Sequence, residues 1–145
     1  MTIGRLAWII GAAILVLAIN VGVSILYVAI YSYLINPGHD EHYYQEYAKE
    51  VAPYSSIVAG MPLMFLICWR VGSWWEADFA VKAALLVWLV YAVIDVLVLV
   101  AAGMSRGAPT RLIVLTAISL ITKLAASYFG GIVANRRVQK CYALR

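Results

Sequence analysis

The sequence predicts an all-α integral membrane protein: a bundle of four transmembrane helices with a short interfacial helix after the first span. Three observations predict it. The chain has 145 residues, 65% hydrophobic and only 12% charged, whereas soluble domains run about 45–50% apolar and about 25% charged. Its mean hydropathy is +0.89. Its apolar residues gather into four runs, each long enough to cross most or all of a ~30 Å hydrocarbon core at ~1.5 Å per residue. A soluble chain of this length could not hide so much apolar surface, whereas a bilayer is itself an apolar solvent. The length fits one domain. The net charge of +4 sits at the ends of the apolar runs, where it sets orientation. It is not a nucleic-acid signature.

The first span covers about residues 6–35. One Arg precedes it, and it is far longer than the ~7–15-residue core of a cleavable signal, so it reads as an uncleaved anchor. Asn36-Pro37-Gly38 should end it, because Pro cannot continue a helix and Gly accepts a left-handed turn. About residues 39–52 follow, a polar and tyrosine-rich segment read as a short interfacial helix. Tyrosine suits that depth because its ring is apolar at one end and wet at the other.

The second span is expected at about residues 53–70, with Pro53 at a first-turn position and Pro62 as a kink. Trp69, Arg70, Trp74 and Trp75 then mark a membrane interface, an aromatic belt beside a charge. The third span covers about residues 80–102 with Gly103 as C-cap, and the fourth about residues 112–134, closed by Asn135-Arg136-Arg137. The two form an antiparallel hairpin around residues 105–108. Small-xxx-small spacings, Ala18-xxx-Gly22 and Ala126-xxx-Gly130-xxx-Ala134, predict that spans one and four approach closely, within one chain or between copies.

Lys and Arg are biased to one side. With both termini cytoplasmic, that side carries Arg5, Arg70, Lys82, Arg136, Arg137, Lys140 and Arg145, against Lys49, Arg106 and Arg111 opposite. The expectation is a plasma (inner) membrane protein with N- and C-termini in the cytoplasm. Cys68, within a span, and Cys141, in the tail, form no CxxC motif or disulfide framework.

Candidate site residues are those that lipid cannot satisfy. Asp95 and Lys123 lie at membrane depth, where ionisable groups are costly and mark functional sites. Helical spacing places Asn20, Ser24, Tyr27 and Tyr31 on one face of span one. It does the same for Trp88, Tyr91 and Asp95 in span three, and for Thr116, Ser119, Lys123, Ser127 and Gly130 in span four. These stripes should face one another. Asn20, Asp95 and Lys123 fall at ~18–23 Å from the cytoplasmic side at ~1.5 Å per residue. Side chains lean toward the N-terminus of their own helix, so Asp95 and Lys123 lean together and are expected to form an ion pair.

Two readings of the pair follow. It is a staple that fixes helix register, or it belongs to a proton, ion or polar-substrate pathway lined by Asn20, Ser24, Tyr91, Ser119 and Ser127. The first suits an accessory or assembly subunit of a larger membrane complex. The second suits a small transporter or ion-conducting protein, and it gives the stripes a role. Four helices leave little room for a pore, so a pathway calls for a homo-oligomer or a partner.

A third reading rests on the first loop. His39, His42, Glu46 and Glu50 recur at helical spacing, and a divalent metal such as Zn²⁺ accepts such ligands. Metal or pH sensing then competes with a plain solvated face carrying a His42–Glu46 pair. The sequence calls for no cofactor otherwise. Ser55 and Ser56 could be paired with these histidines as a hydrolase, but Gly-x-Ser-x-Gly is absent, so an enzyme is less expected than a non-enzymatic membrane protein.

Overall fold

The computed structural model describes residues 3–101 and 110–143. Among them are four long α-helices: α1 (Ile3–Ile30), α2 (Glu41–Gly72), α3 (Ala77–Ala101) and α4 (Thr110–Ala143). All four are long and apolar enough to cross a membrane. A π-helical turn, Tyr31–Ile35, extends α1. It closes where the Asn36 N–H donates to the Tyr31 carbonyl at 2.9 Å. Gly38 then turns the chain at φ +98°, a conformation that glycine adopts without steric penalty. Asp40 caps α2 by accepting the Tyr43 N–H at 3.2 Å.

The first correction concerns α2. The expected interfacial helix and the second span are one continuous helix through Pro53 and Pro62. Membrane helices tolerate interior prolines because neighbouring groups take up the freed backbone. The consequence is functional, because Ser55 and Ser56 lie inside the bundle rather than at a helix start. At the other end, Asn135-Arg136-Arg137 do not close α4, which continues to Ala143. Gly103 and the expected turn at 105–108 lie outside the described residues.

α1 packs against α2 and α3, and α4 packs against the same two helices. Within the chain, spans one and four are therefore not the close pair that their small residues suggested. The two small-residue stripes have different fates. Ala18 and Gly22 face outward, and a side chain at Gly22 would meet nothing within 4 Å. Gly130 instead presses α4 onto α2: a Cβ there would stand 2.7 Å from the Phe65 carbonyl oxygen and 3.1 Å from the Trp69 nitrogen. Its neighbour Gly131 faces α3, where a Cβ would stand 3.0 Å from both Val81 Cα and Ala84 Cβ. Two adjacent glycines thus let α4 wedge between α2 and α3, as small residues do in membrane bundles.

Two side chains on the α3–α4 seam donate to carbonyls of the facing helix. Ser127 Oγ donates to Ala84 at 3.0 Å and Trp88 Nε1 to Leu120 at 3.1 Å. The outside is apolar: Trp8, Ile25, Leu34 and Ile121 are each more than 60% exposed. Exposure on that scale is untenable in water and ordinary against lipid.

The start of α1 and the last turns of α4 lie at the same end of the bundle as the α2–α3 connection, called here the terminal end. At the opposite end Arg111 joins α4 to α2, 3.3 Å from Glu50 and donating to Tyr54 OH at 2.8 Å. Both members of this ion pair are more than 60% exposed. Glu50→Gln is accordingly expected to lower stability by less than about 1 kcal/mol. Thermal unfolding in detergent checks this, and a larger loss would mean the pair holds the two helices together.

Candidate functional site

One residue organises the interior. Lys123 is fully buried, and its Nζ donates to Ser56 Oγ at 2.7 Å and to Tyr91 OH at 2.7 Å. The amine also lies 4.7 Å from the centre of the Tyr91 ring. It reaches this position because α2 presents no side chain at Gly60. A Cβ on Gly60 would stand 2.5 Å from Lys123 Cε and 3.1 Å from its Nζ.

Ser56 is the junction of the network. Its oxygen meets Lys123 Nζ, Asn20 Nδ2 at 2.9 Å and Ser119 Oγ at 3.2 Å. A hydroxyl has two acceptor sites and one proton. The two nitrogens fill the acceptor sites, so the Ser56 proton goes to Ser119. A second link between α1 and α2 is the 2.7 Å contact of Ser24 and Ser55 hydroxyls. Asn20 Oδ1 is buried without a hydrogen-bond partner among the described residues. It borders the same point beside Gly60 as the Lys123 amine does.

Above this network, away from the terminal end, lies a crevice of about 410 Å³. All four helices line it; most of its wall is apolar, and Asn20, Ser24, Lys49, Ser56, Asp95, Thr116 and Ser119 supply its polar groups. On the other side of Lys123 the interior is apolar and closed. Val16, Met64, Cys68 and Val87 are fully buried there, one or more turns toward the terminal end from Asn20, Gly60 and Tyr91. The site is a cup, open one way, with a lysine beneath its floor.

The predicted stripes therefore do meet: Asn20, Ser24, Tyr91, Ser119 and Lys123 come together. Two expectations about them need correction. Asp95 and Lys123 form no ion pair, since among the described residues the ion pairs are Lys49–Glu46 and Arg111–Glu50. Tyr91 lies one helical turn closer to the terminal end than Asp95, and its hydroxyl takes the amine. Asp95 is half-buried on the crevice wall beside the Tyr91 hydroxyl, and it forms no ion pair among the described residues. Ser127 does not line the crevice. It is fully buried on the closed side, and its hydroxyl is engaged by the Ala84 carbonyl.

The metal reading also fails on geometry. Among the described residues, no three His, Cys, Asp or Glu side chains are close enough to hold an ion. The helix begins at Glu41, so His39 is off the face shared by His42 and Glu46. It stacks on Tyr43 at 4.3 Å instead, while Glu46 pairs with Lys49 at 2.6 Å.

Sequence reasoning missed Ser56 and Gly60 as site residues. The signal was the four-residue spacing Ala52, Ser56, Gly60, Met64, concealed by reading Pro53 as a helix start. Compared with known proteins, the chain matches no family model, no curated protein and no solved structure.

Proposed function

We propose that the protein is a small membrane transporter or ion-conducting protein whose translocated species enters the crevice. Asp95 is the carboxylate that exchanges a proton or cation, and Lys123 is the fixed charge beneath it. The observation that carries this reading is the separation of the two. A carboxylate on the wall of the crevice has no ion partner among the described residues, while the amine of a lysine sealed below it donates to two hydroxyls. Charges at membrane depth are expensive. A staple would bring the two together, because pairing offsets part of the desolvation cost. Holding them apart leaves Asp95 free to bind and release. With the termini cytoplasmic, as the Lys/Arg distribution predicts, the crevice opens away from the cytoplasm. Transport then requires the apolar layer at Val16, Met64 and Val87 to open.

That layer also favours a second reading, a non-conducting accessory subunit of a larger membrane complex. Proton flux into vesicles, read with an internal pH-sensitive dye, separates the two. Wild-type protein is expected to dissipate an imposed pH gradient faster than protein-free vesicles. Asp95→Asn should return the rate to the protein-free level with an unchanged melting temperature. Equal flux from Asp95→Asn and wild type would remove Asp95 from the mechanism. No flux from wild type, under proton or alkali-cation gradients, would leave the accessory reading.

A further inference from the structure

A second site lies at the terminal end of the bundle, remote from the crevice. A depression of about 730 Å³ is lined there by Arg5, Arg70, Arg137, Trp74, Trp75 and Glu76, among others. The three arginines come from α1, α2 and α4, so the fold assembles them from distant parts of the chain. Each guanidinium lies over an indole. Arg5 is 4.9 Å from the Trp75 ring centre, Arg70 is 5.1 Å from Trp74, and Arg137 is 5.6 Å from Trp69. Trp74 is itself braced edge-on by Trp8 at 5.2 Å.

A single arginine near a membrane surface needs no explanation beyond orientation. Three around one depression are different, because like charges brought together repel unless something neutralises them. Among the described residues none of the three forms an ion pair or a side-chain hydrogen bond. Glu76 shares the depression without coming within ion-pair distance of any of them. Cation–π attraction to the indoles holds the three guanidiniums at the depression. Their N–H groups have no side-chain partner among the described residues, and a guanidinium fork matches the oxygens of a phosphate.

We infer that this depression binds the phosphate of an anionic phospholipid headgroup. The tryptophans mark headgroup depth, where they are enriched, and basic pockets between membrane helices on the cytoplasmic side are suited to such headgroups. Three guanidiniums against one carboxylate select a lipid of net negative charge over a zwitterionic one. The inference is independent of transport, and it fits either reading of the crevice.

The test is thermal stability of the full-length protein in detergent, titrated with phosphatidylglycerol or with phosphatidylcholine. Phosphatidylglycerol is expected to raise the melting temperature saturably, and phosphatidylcholine is not. The triple variant Arg5→Gln/Arg70→Gln/Arg137→Gln should bind phosphatidylglycerol on the order of a hundredfold more weakly, since three basic residues at a charged membrane surface are lost. Arg111→Gln, at the other end, should bind as wild type does. If the triple variant does not fold, the three single Arg→Lys variants serve, since they keep the charge and lose the bidentate fork; each should weaken binding. Equal effects of the two lipids, or equal losses in the triple variant and Arg111→Gln, would overturn the site. Inorganic phosphate alone reproducing the full shift would overturn its assignment to lipid.

Discussion

Gly130→Val is expected to abolish stable folding, or to lower stability by about 3 kcal/mol or more, at the upper end of overpacking effects. The reason is what the new side chain would strike. Most core substitutions push on side chains that can change rotamer. Here even a Cβ would stand 2.7 Å from a backbone carbonyl of α2 and 3.1 Å from a backbone nitrogen, so relief requires the helices to part. Parting them would disturb the α3 seam as well, because Gly131 presses on Val81 and Ala84 from the adjacent position. The control is Gly22→Ala on the lipid-facing side of α1, which meets nothing within 4 Å. It should be neutral or stabilising by up to about 1 kcal/mol through helix propensity. Melting temperatures and monodispersity in detergent decide between them. If Gly130→Val behaves like Gly22→Ala, the close α2–α4 contact is wrong.

That contrast also shows why the fold was legible and its packing was not. Hydropathy finds spans because every membrane helix must bury its backbone polarity and present apolar side chains to lipid, whatever it packs against. Thus α1, α3 and α4 fall close to their expected starts. Small-xxx-small spacing says only that a helix can approach another closely. Both Ala18-xxx-Gly22 and Ala126-xxx-Gly130 carry it, and within the chain only the second is used.

The site divides in the same way. Asn20, Tyr91, Ser119 and Lys123 were found because a buried polar group has no alternative to another polar group. Gly60 carries no such signature. Its contribution is an absence of side chain that lets Lys123 enter; the spacing from Ser56 gives its face, and only the assembled helices show what fills the gap. Opposite charge makes Asp95 the obvious partner of Lys123 in the sequence, whereas in the folded chain Tyr91 and Ser56 place hydroxyl oxygens 2.7 Å from the amine.

Gly60→Ala provides the most direct test of that assembled site. In wild type the added methyl would stand 2.5 Å from Lys123 Cε. The lysine is sealed on all sides and held by two hydroxyls, so it cannot swing clear without giving up hydrogen bonds. A loss of about 1–3 kcal/mol is expected, the usual range for overpacking. Lys123→Ala alone should also destabilise, by about 2–5 kcal/mol, since it truncates a fully buried side chain and leaves a cavity. In the double variant the lysine chain is gone and the methyl enters the space it left, so Gly60→Ala should become neutral or recover stability. The resulting coupling, about 1–3 kcal/mol of favourable non-additivity, is the signature of direct contact. Lys123→Met separates shape from charge, because it keeps bulk near the methyl and removes the amine. Gly60→Ala should remain costly in that background if the conflict is steric, and become neutral if the amine's charge is responsible. Additive losses in the Gly60/Lys123 cycle would mean that Lys123 does not lie against Gly60. The lysine would then be free to reach Asp95, and the separation of charges on which the transport proposal depends would be lost with it.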